Sequence, residues 1–189
     1  MGDNPSMKRE KPTILKTEVI AKSRLFALER LHLRFANGVE REYERFCTQG
    51  CGAVLVVALL DAETVLLVRE YAAGLDSYEL TFPKGVVDSG ESPLEAANRE
   101  LMEEVGYGAR DLRVLTRLAT APGYWNSQLT VVLAQDLYPA QLTGDEPEEL
   151  EVFTWSLNEF NQLLDRDDFN DARSIAALYR VRDWLRETA

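Results

Sequence analysis

The stretch that most constrains the fold of this chain is GVVDSGESPLEAANRELMEEVGY, residues 85–107, because it specifies one helix and marks both of its ends. Ser92 and Glu95 make a capping box, and Pro93 falls at the first helical position, where its missing N–H costs nothing. Gly106 is placed to end the helix in a left-handed conformation. The sequence therefore predicts a helix that begins at Pro93 and ends just before Gly106.

The predicted helix carries a cluster of like charges beside an apolar stripe. The stripe consists of Leu94, Ala97, Leu101 and Val105, and the cluster consists of Glu100, Glu103 and Glu104. Like charges one turn apart cost about 0.2–0.5 kcal/mol per pair, and a solvated face would usually mix signs at that spacing. Arg99 is within reach of Glu95 or Glu103. Two interpretations stay open from these residues alone: a solvated acidic face, or a site for a hard divalent cation, which prefers oxygen ligands.

Extended segments lie on both sides of this helix. Residues 13–46 predict a small antiparallel sheet with a type I′ hairpin at Asn37-Gly38, and such a sheet is too small to be stable alone. GAVLVVALLDAETVLLVREY predicts a hairpin of buried strands around residues 61–63. Further strands are predicted in SYELTFPKG, LRVLTRLATAP, SQLTVVLAQDL and EVFTWSL, and helices in LNEFNQLLDR and ARSIAALYRVRDWLRETA. This pattern is typical of an α/β or α+β sandwich.

Charge and composition limit the partners. A net charge of −11 and a pI near 4.7 argue against nucleic acid or an anionic membrane, but not against a phosphate-bearing small molecule bridged by a metal. No apolar run approaches roughly 18 residues, and MGDNPSMKREKP lacks a signal-peptide core, so we expect a cytoplasmic protein. Cys47, Cys51 and the single His32 are too few for a zinc site of about four ligands. We expect reduced thiols and a strand position for His32.

The spacing of the charged residues resembles the Nudix box. Gly85, Glu91, Arg99-Glu100-Leu101, Glu103-Glu104 and Gly106 occupy the positions of that pattern, and Tyr107 departs from it where an aliphatic residue is usual. The resemblance implies a Nudix α/β/α sandwich of mixed sheet and helices, in the α/β class, with a small N-terminal antiparallel sheet. It further implies a flexible segment over 1–12, a dimerising sheet over 13–48 and a Nudix hydrolase domain over 49–189.

The same resemblance implies roles for the box residues. The metal ligands would be Gly85 through its carbonyl, Glu100, Glu103 and Glu104, with Mg²⁺ as the cofactor and Mn²⁺ as the alternative. Arg99 and Glu91 would orient and stabilise the site. The acidic loop GDEPEEL would supply the general base, with Glu146 as first choice and Glu148 as second. If this loop is only a solvated surface, Glu103 is the next candidate.

Beyond the box, the chain resembles the ADP-ribose pyrophosphatase branch and, within it, bacterial enzymes that release AMP from ADP-ribose, diadenosine triphosphate and NADH. The sequence FPKG replaces the usual Leu-Pro-Ala-Gly, and Lys84 either contacts an additional phosphate or faces solvent. The candidate substrate-binding residues are Arg45, Arg69, Glu70, Tyr71, Glu79, Lys84 and Tyr124. For Arg69, Glu70, Tyr71, Glu79 and Tyr124 the alternative is a packing role. A homodimer with exchanged N-terminal sheets is implied too, in which Arg45 reaches the partner's site. The alternatives are hydrolysis of a non-nucleotide diphosphate and a catalytically dead ligand sensor.

Overall fold

The computed structural model describes residues 10–48, 50 and 52–188, which separate into two compact units. One unit holds residues 10–48 together with 121–127, and the other holds residues 50, 52–120 and 128–188. The predicted flexible segment 1–12 lies outside the described residues as far as position 9, and Cys51 lies outside them as well.

The first unit is built on an antiparallel sheet. Its strands are β1 (Thr13–Lys22), β2 (Phe26–Arg34) and β3 (Glu40–Thr48), in the order β1-β2-β3. This confirms the small N-terminal sheet predicted from the alternating sequence. His32 is a strand residue as expected, and its Nε2 lies 2.8 Å from a carboxylate oxygen of Glu40. Cys47 on β3 is a buried free thiol.

The hairpin between β2 and β3 forms where predicted, but its turn differs from the predicted type. The Gly38 N–H donates to the Phe35 carbonyl and the Phe35 N–H donates to the Val39 carbonyl, each at 2.9 Å. Gly38 has a φ of +80°, whereas Asn37 stays in the negative-φ region. A type I′ turn needs positive φ at both central residues, so the type I′ prediction is wrong. The loop has three residues and ends in a left-handed glycine bulge.

The second unit combines two kinds of sheet with helices. Its strands are β4 (Ala53–Ala58), β5 (Thr64–Ala72), β6 (Ser77–Thr81), β7 (Lys84–Val86), β8 (Tyr107–Ala119), β9 (Gln128–Pro139) and β10 (Glu151–Ser156). One sheet has the order β7-β4-β9-β8, with β4 and β9 parallel and the other pairs antiparallel. The other sheet is antiparallel in the order β10-β5-β6. The mixed sheet predicted from the resemblance is therefore confirmed.

The helices of this unit follow the sequence pattern closely. They are α1 (Pro93–Glu104), α2 (Phe160–Leu164), which a 3-10 turn at Leu157–Glu159 precedes, and α3 (Ala172–Thr188). Within residues 10–48 and 52–188, no helix is both long enough and apolar enough to cross a bilayer.

Strands β4 and β5 are neighbours in the chain, but they do not form the predicted hairpin. Among the described residues, backbone pairing between them is limited to the turn, where Leu59, just past β4, bridges Val65 and the Leu60 N–H donates to the Thr64 carbonyl at 2.9 Å. β4 pairs with β7 and β9, whereas β5 pairs with β6 and β10. The prediction failed because both strands are buried on both faces, so apolar character alone could not show which strands flank them.

The core lies on both faces of β4 and β5. One cluster joins Leu55 and Val57 of β4 to Ala177, Leu178 and Val181 of α3, and the other joins Val54 and Val56 of β4 to Ala97 and Leu101 of α1. Successive side chains of a strand point to opposite faces, so one strand packs on both helices at once. This confirms the α/β/α sandwich and fixes α1 against the sheet that also carries Gly85.

Candidate active site

Helix α1 begins and ends at the residues that the sequence marks. The Ser92 hydroxyl accepts from the Glu95 N–H at 3.3 Å, and the Glu95 carboxylate accepts from the Ser92 N–H at 2.8 Å. Val105 is the C-cap and Gly106 follows with a φ of +79°. Since Ala97 and Leu101 on the apolar stripe pack into the core, Glu100 and Glu104 are carried inward with them.

Glu100 and Glu104 are buried carboxyl groups of the described chain. Their relative exposures are 9% and 7%, unusually low for acidic side chains. Burial raises the pKa of Glu100 to about 7 and the pKa of Glu104 to about 8. Glu104 accepts from the backbone N–H of Lys84 at 3.1 Å, which compensates part of the desolvation. Neither group resembles a residue of a solvated acidic face, and that interpretation is wrong for these two glutamates.

Gly85 gives Glu100 the room that it occupies. Gly85 lies on β7 opposite Val54 of β4, in a backbone conformation open to other residues. A Cβ built on Gly85 would lie 2.0 Å from Glu100 Cδ and 2.0 Å from its Oε1. The glycine is therefore required by the close approach of the carboxylate to the backbone, and not by a turn.

Arg99 organises the acidic residues around it. Its guanidinium donates to Glu91 at 3.0 Å, to Glu100 at 2.8 Å and to Glu103 at 2.9 Å. It also donates to the Val86 carbonyl at 2.9 Å. These bonds raise the pKa of Arg99 and lower the pKa of Glu91. Of the two partners expected for Arg99, Glu103 is found.

Glu95, the other expected partner of Arg99, is used instead by the capping box with Ser92. The bond between Arg99 and Glu91 was not predicted from the spacing, because Glu91 precedes the helix and approaches only after the chain folds back.

A cavity of about 620 Å³ opens beside these carboxylates. Its polar lining includes Glu70, Lys84, Gly85, Arg99, Glu100, Glu103, Asp145, Glu146 and Arg173. The Lys84 ammonium pairs with Glu70, so Lys84 is held in the site and does not point freely to solvent. Asp145 and Arg173 were not predicted, and no motif in the sequence distinguishes them from surface residues.

The residues proposed as general base lie in different places. Glu146 lines the cavity, and desolvation together with the nearby charges of Glu70 and Asp145 raises its pKa. Glu148 is absent from this lining; it lines a neighbouring cavity with Glu103, Glu104 and Glu146, and its carboxylate accepts from the Tyr78 hydroxyl at 2.7 Å. The geometry therefore favours Glu146 over Glu148 as a group that reaches a bound water.

The remaining predicted substrate residues of this unit lie outside the cavity lining. Arg69 donates to Glu151 and Asp168, each at 3.3 Å, and stacks over the Phe153 ring. The Tyr71 hydroxyl donates to Asp76 at 2.7 Å. One carboxylate oxygen of Glu79 accepts from Ser77, and the other is buried without a hydrogen-bond partner in the described chain.

Arg45 and Tyr124, the other two candidates, belong to the first unit. Arg45 pairs with Glu29 at 2.8 Å across β2 and β3. The Tyr124 carbonyl accepts from the Phe46 N–H at 2.7 Å, and the Tyr124 side chain is exposed. Their predicted contact with substrate stays a prediction.

The donor set has the chemistry that suits a hard divalent cation. The carboxylate oxygens come from Glu100, Glu103 and Glu104. Because Gly85 has no side chain, the Glu100 carboxylate lies against the Gly85 backbone. In the part of the chain that the structure describes, no three acidic, histidine or cysteine side chains converge on one ion-sized point. One Arg99 nitrogen donates to both Glu100 and Glu103, at 2.8 and 2.9 Å. Oxygen donors of this type suit Mg²⁺ or Mn²⁺ better than softer metals.

Comparison with known proteins decides the family. Residues 51–178 match the NUDIX domain, and residues 12–45 match the NudE-type Nudix hydrolase N-terminal domain. The chain belongs to the Nudix hydrolase family. This confirms the resemblance carried by the box, and with it a pyrophosphohydrolase rather than a protein of another class.

Similar proteins extend the match over nearly the whole chain. It is 52% identical over 177 residues to ADP compounds hydrolase NudE of Escherichia coli, covering 94% of this chain and 95% of that protein. It is 29% identical over 170 residues to an ADP-ribose pyrophosphatase of Bacillus subtilis, covering 87% and 91%. A crystal structure of an ADP compounds hydrolase superposes with a TM-score of 0.89 at 50% identity, covering 97% and 99% of the two chains.

Proposed function

We propose that this chain hydrolyses the pyrophosphate bond of ADP-linked compounds and releases AMP. The observation that carries the proposal is the cavity that Glu100 and Glu103 of α1, Gly85 and Glu146 line together, with Glu104 in the lining of the neighbouring cavity that Glu103 and Glu146 share. The names of the similar proteins, ADP compounds hydrolase and ADP-ribose pyrophosphatase, support an ADP moiety in the substrate. We include ADP-ribose, diadenosine triphosphate and NADH among the substrates.

Glu100, Glu103, Glu104 and the Gly85 carbonyl would hold Mg²⁺ or Mn²⁺ in this cavity. When bound, such a cation polarises the pyrophosphate oxygens and lowers the pKa of a coordinated water. The burial of Glu100 and Glu104 supports this role, because two like charges with raised pKa values are stabilised by a nearby cation.

The surrounding side chains would orient the metal-binding carboxylates and activate the attacking water. Arg99 holds Glu91, Glu100 and Glu103 in fixed positions by its four donor contacts. Glu146, which lines the cavity and whose pKa is raised by desolvation, would accept the proton of the attacking water. Lys84 would place its ammonium near an additional phosphate, and its position beside Glu70 in the cavity lining supports this.

Binding of the adenosine part of the substrate needs an apolar or aromatic surface and a few polar groups. We assign this to the candidates Arg69, Tyr71, Glu79 and Tyr124, while Arg45 would reach the partner's site in the homodimer. The buried oxygen of Glu79 without a partner in the described chain supports a polar contact to a ligand.

The N-terminal sheet would join two subunits. We assign residues 13–48 to dimerisation and 49–189 to the Nudix domain, with a flexible segment over 1–12. Ile14 and Val19 on β1 expose 54% and 55% of their surface, as expected of a strand face that a second copy covers. Light scattering should give about twice the chain mass of 21.4 kDa at micromolar concentration. A mass equal to one chain would contradict the dimer.

The activity is tested with a substrate panel and separation of the nucleotide products. AMP should appear from ADP-ribose, diadenosine triphosphate and NADH when Mg²⁺ is present, and its formation should stop when the metal is chelated. Glu104→Gln provides the matched control, since it removes one carboxylate charge and keeps the side-chain shape. Turnover of isopentenyl diphosphate with no AMP from any ADP compound would replace the proposal by the non-nucleotide alternative.

A further inference from the structure

The loop that carries Glu146 is attached at its start to the last turn of α1. This loop spans residues 140–150, between β9 and β10. The bonds run from the Ala140 N–H to the Gly106 carbonyl (3.0 Å), from the Leu142 N–H to the Met102 carbonyl (3.2 Å) and from the Gln141 amide to the Glu103 carbonyl (3.2 Å). Carbonyls at a helix end lack partners within the helix, so the loop satisfies them. The start of the loop is thereby fixed to the helix that carries the carboxylates.

The far part of the loop is attached to a different element. Tyr78 lies on β6, and its hydroxyl donates to a carboxylate oxygen of Glu148 at 2.7 Å. The Tyr78 ring is held edge-to-face against Tyr71, with 5.6 Å between ring centroids. Tyr71 and Tyr78 are half-exposed, and their ring contact orients the phenol toward a charged acceptor, Glu148.

Pro147 connects this attachment to Glu146. The proline ring fixes φ at position 147, and it restricts the backbone of the preceding residue, Glu146, to extended conformations. Because Pro147 restricts the backbone between them, fixing Glu148 also limits the positions that Glu146 can adopt. Glu146 lines the cavity while Glu148, two residues later, faces Tyr78.

We propose that Tyr78 and Glu148 form a latch that positions Glu146 in the cavity, with Glu148 acting as a positioning residue and not as the base. This inference rests on the proposed role of Glu146 as the group that activates water. It assigns a role to Tyr78, which lies outside the Nudix box and outside the lining of the cavity.

Glutamine and alanine substitutions at position 148 separate a latch from a base. Glu148→Gln keeps an oxygen that accepts from Tyr78, so kcat should stay within about twofold of the parent. Glu148→Ala and Tyr78→Phe each remove the bond, and each should lower kcat roughly tenfold, the worth of one hydrogen bond of about 1.4 kcal/mol, with KM for ADP-ribose nearly unchanged. The double variant Tyr78→Phe with Glu148→Ala should lose no more than either single variant, because both remove the same contact. Tyr179→Phe on α3 makes the same chemical change outside the site and should leave kcat unaltered.

Four other outcomes would contradict the latch. If Glu148→Gln loses 10²-fold or more, roughly the worth of a base, while Tyr78→Phe is unaffected, Glu148 is itself the base. A raised KM with unchanged kcat in Tyr78→Phe would make Tyr78 a substrate contact. If Glu146→Gln is inactive but Tyr78→Phe and Glu148→Ala turn over normally, the latch fails while the role of Glu146 stands. If Glu146→Gln retains full activity on ADP-ribose, the base assignment and the latch both fail, but the substrate proposal stands.

Discussion

Replacing Gly85 with alanine should abolish most of the activity without unfolding the protein. The added Cβ would lie 2.0 Å from Glu100 Cδ, whereas an ordinary contact begins at 3.4 Å, so the carboxylate must retreat by about 1.4 Å. Glu100 is buried and bonded to Arg99, so this movement would break its hydrogen bond and shift the carboxylate away from the cavity. A misplacement of about 1 Å at a reacting centre costs on the order of 10²-fold, and we expect kcat to fall by at least that much.

The effect on stability should be small by comparison. Alanine is compatible with the Gly85 backbone and gains about 0.4–1 kcal/mol by restricting the unfolded chain. Overpacking costs about 1–3 kcal/mol in a tight site, and here the displaced atom is the end of a side chain rather than backbone. The two contributions partly cancel, so the free energy of unfolding should change by no more than about 2.6 kcal/mol.

Initial rates of AMP formation from ADP-ribose at saturating Mg²⁺ measure the first effect, and urea unfolding measures the second. Gly74→Ala is the matched control, because a Cβ at that position has no atom within 4 Å. A Gly85→Ala protein that is folded and turns over within threefold of the parent would refute the argument, since it would show that the Glu100 carboxylate can move without consequence.

Three further predictions concern the carboxylates. Glu100→Gln and Glu104→Gln should each lower kcat by orders of magnitude while raising the stability of the metal-free fold, which steady-state rates and urea unfolding in EDTA will show. Without metal, the free energy of unfolding should decrease above about pH 5, because folded Glu100 and Glu104 keep protons that the unfolded chain has released. The decrease should be roughly 1.4 kcal/mol per pH unit for each carboxyl until its folded pKa, about 7 for Glu100 and about 8 for Glu104, and a flat profile would contradict their burial. Glu146→Gln should reduce kcat roughly 10²–10⁴-fold while calorimetry shows unchanged ADP-ribose affinity, and normal turnover would move the base elsewhere.

Local signals allowed helix α1 and its carboxylates to be predicted, because capping by Ser92 and termination at Gly106 depend on residues a few positions apart. The pairing of β4 and β5 could not be predicted in the same way. Their pairing partners lie far along the chain, and an apolar sequence does not indicate which strands will pair. The choice between Glu146 and Glu148 also stayed open, because it depends on side-chain directions in a loop held by Tyr78.

The separation of β4 from β5 also affects how the chain must fold. Ala53 of β4 pairs with Leu129, and Thr64 of β5 pairs with Ser156, so neither strand can complete its sheet until the C-terminal half has been synthesised. Contacts between distant residues slow folding and leave apolar strands exposed in the meantime. The sequence AVLVVALL, residues 53–60, contains no charge and no proline, the composition of segments that assemble into aggregates. The strand at the centre of the sandwich is therefore also a segment through which a nascent or truncated chain is exposed to aggregation.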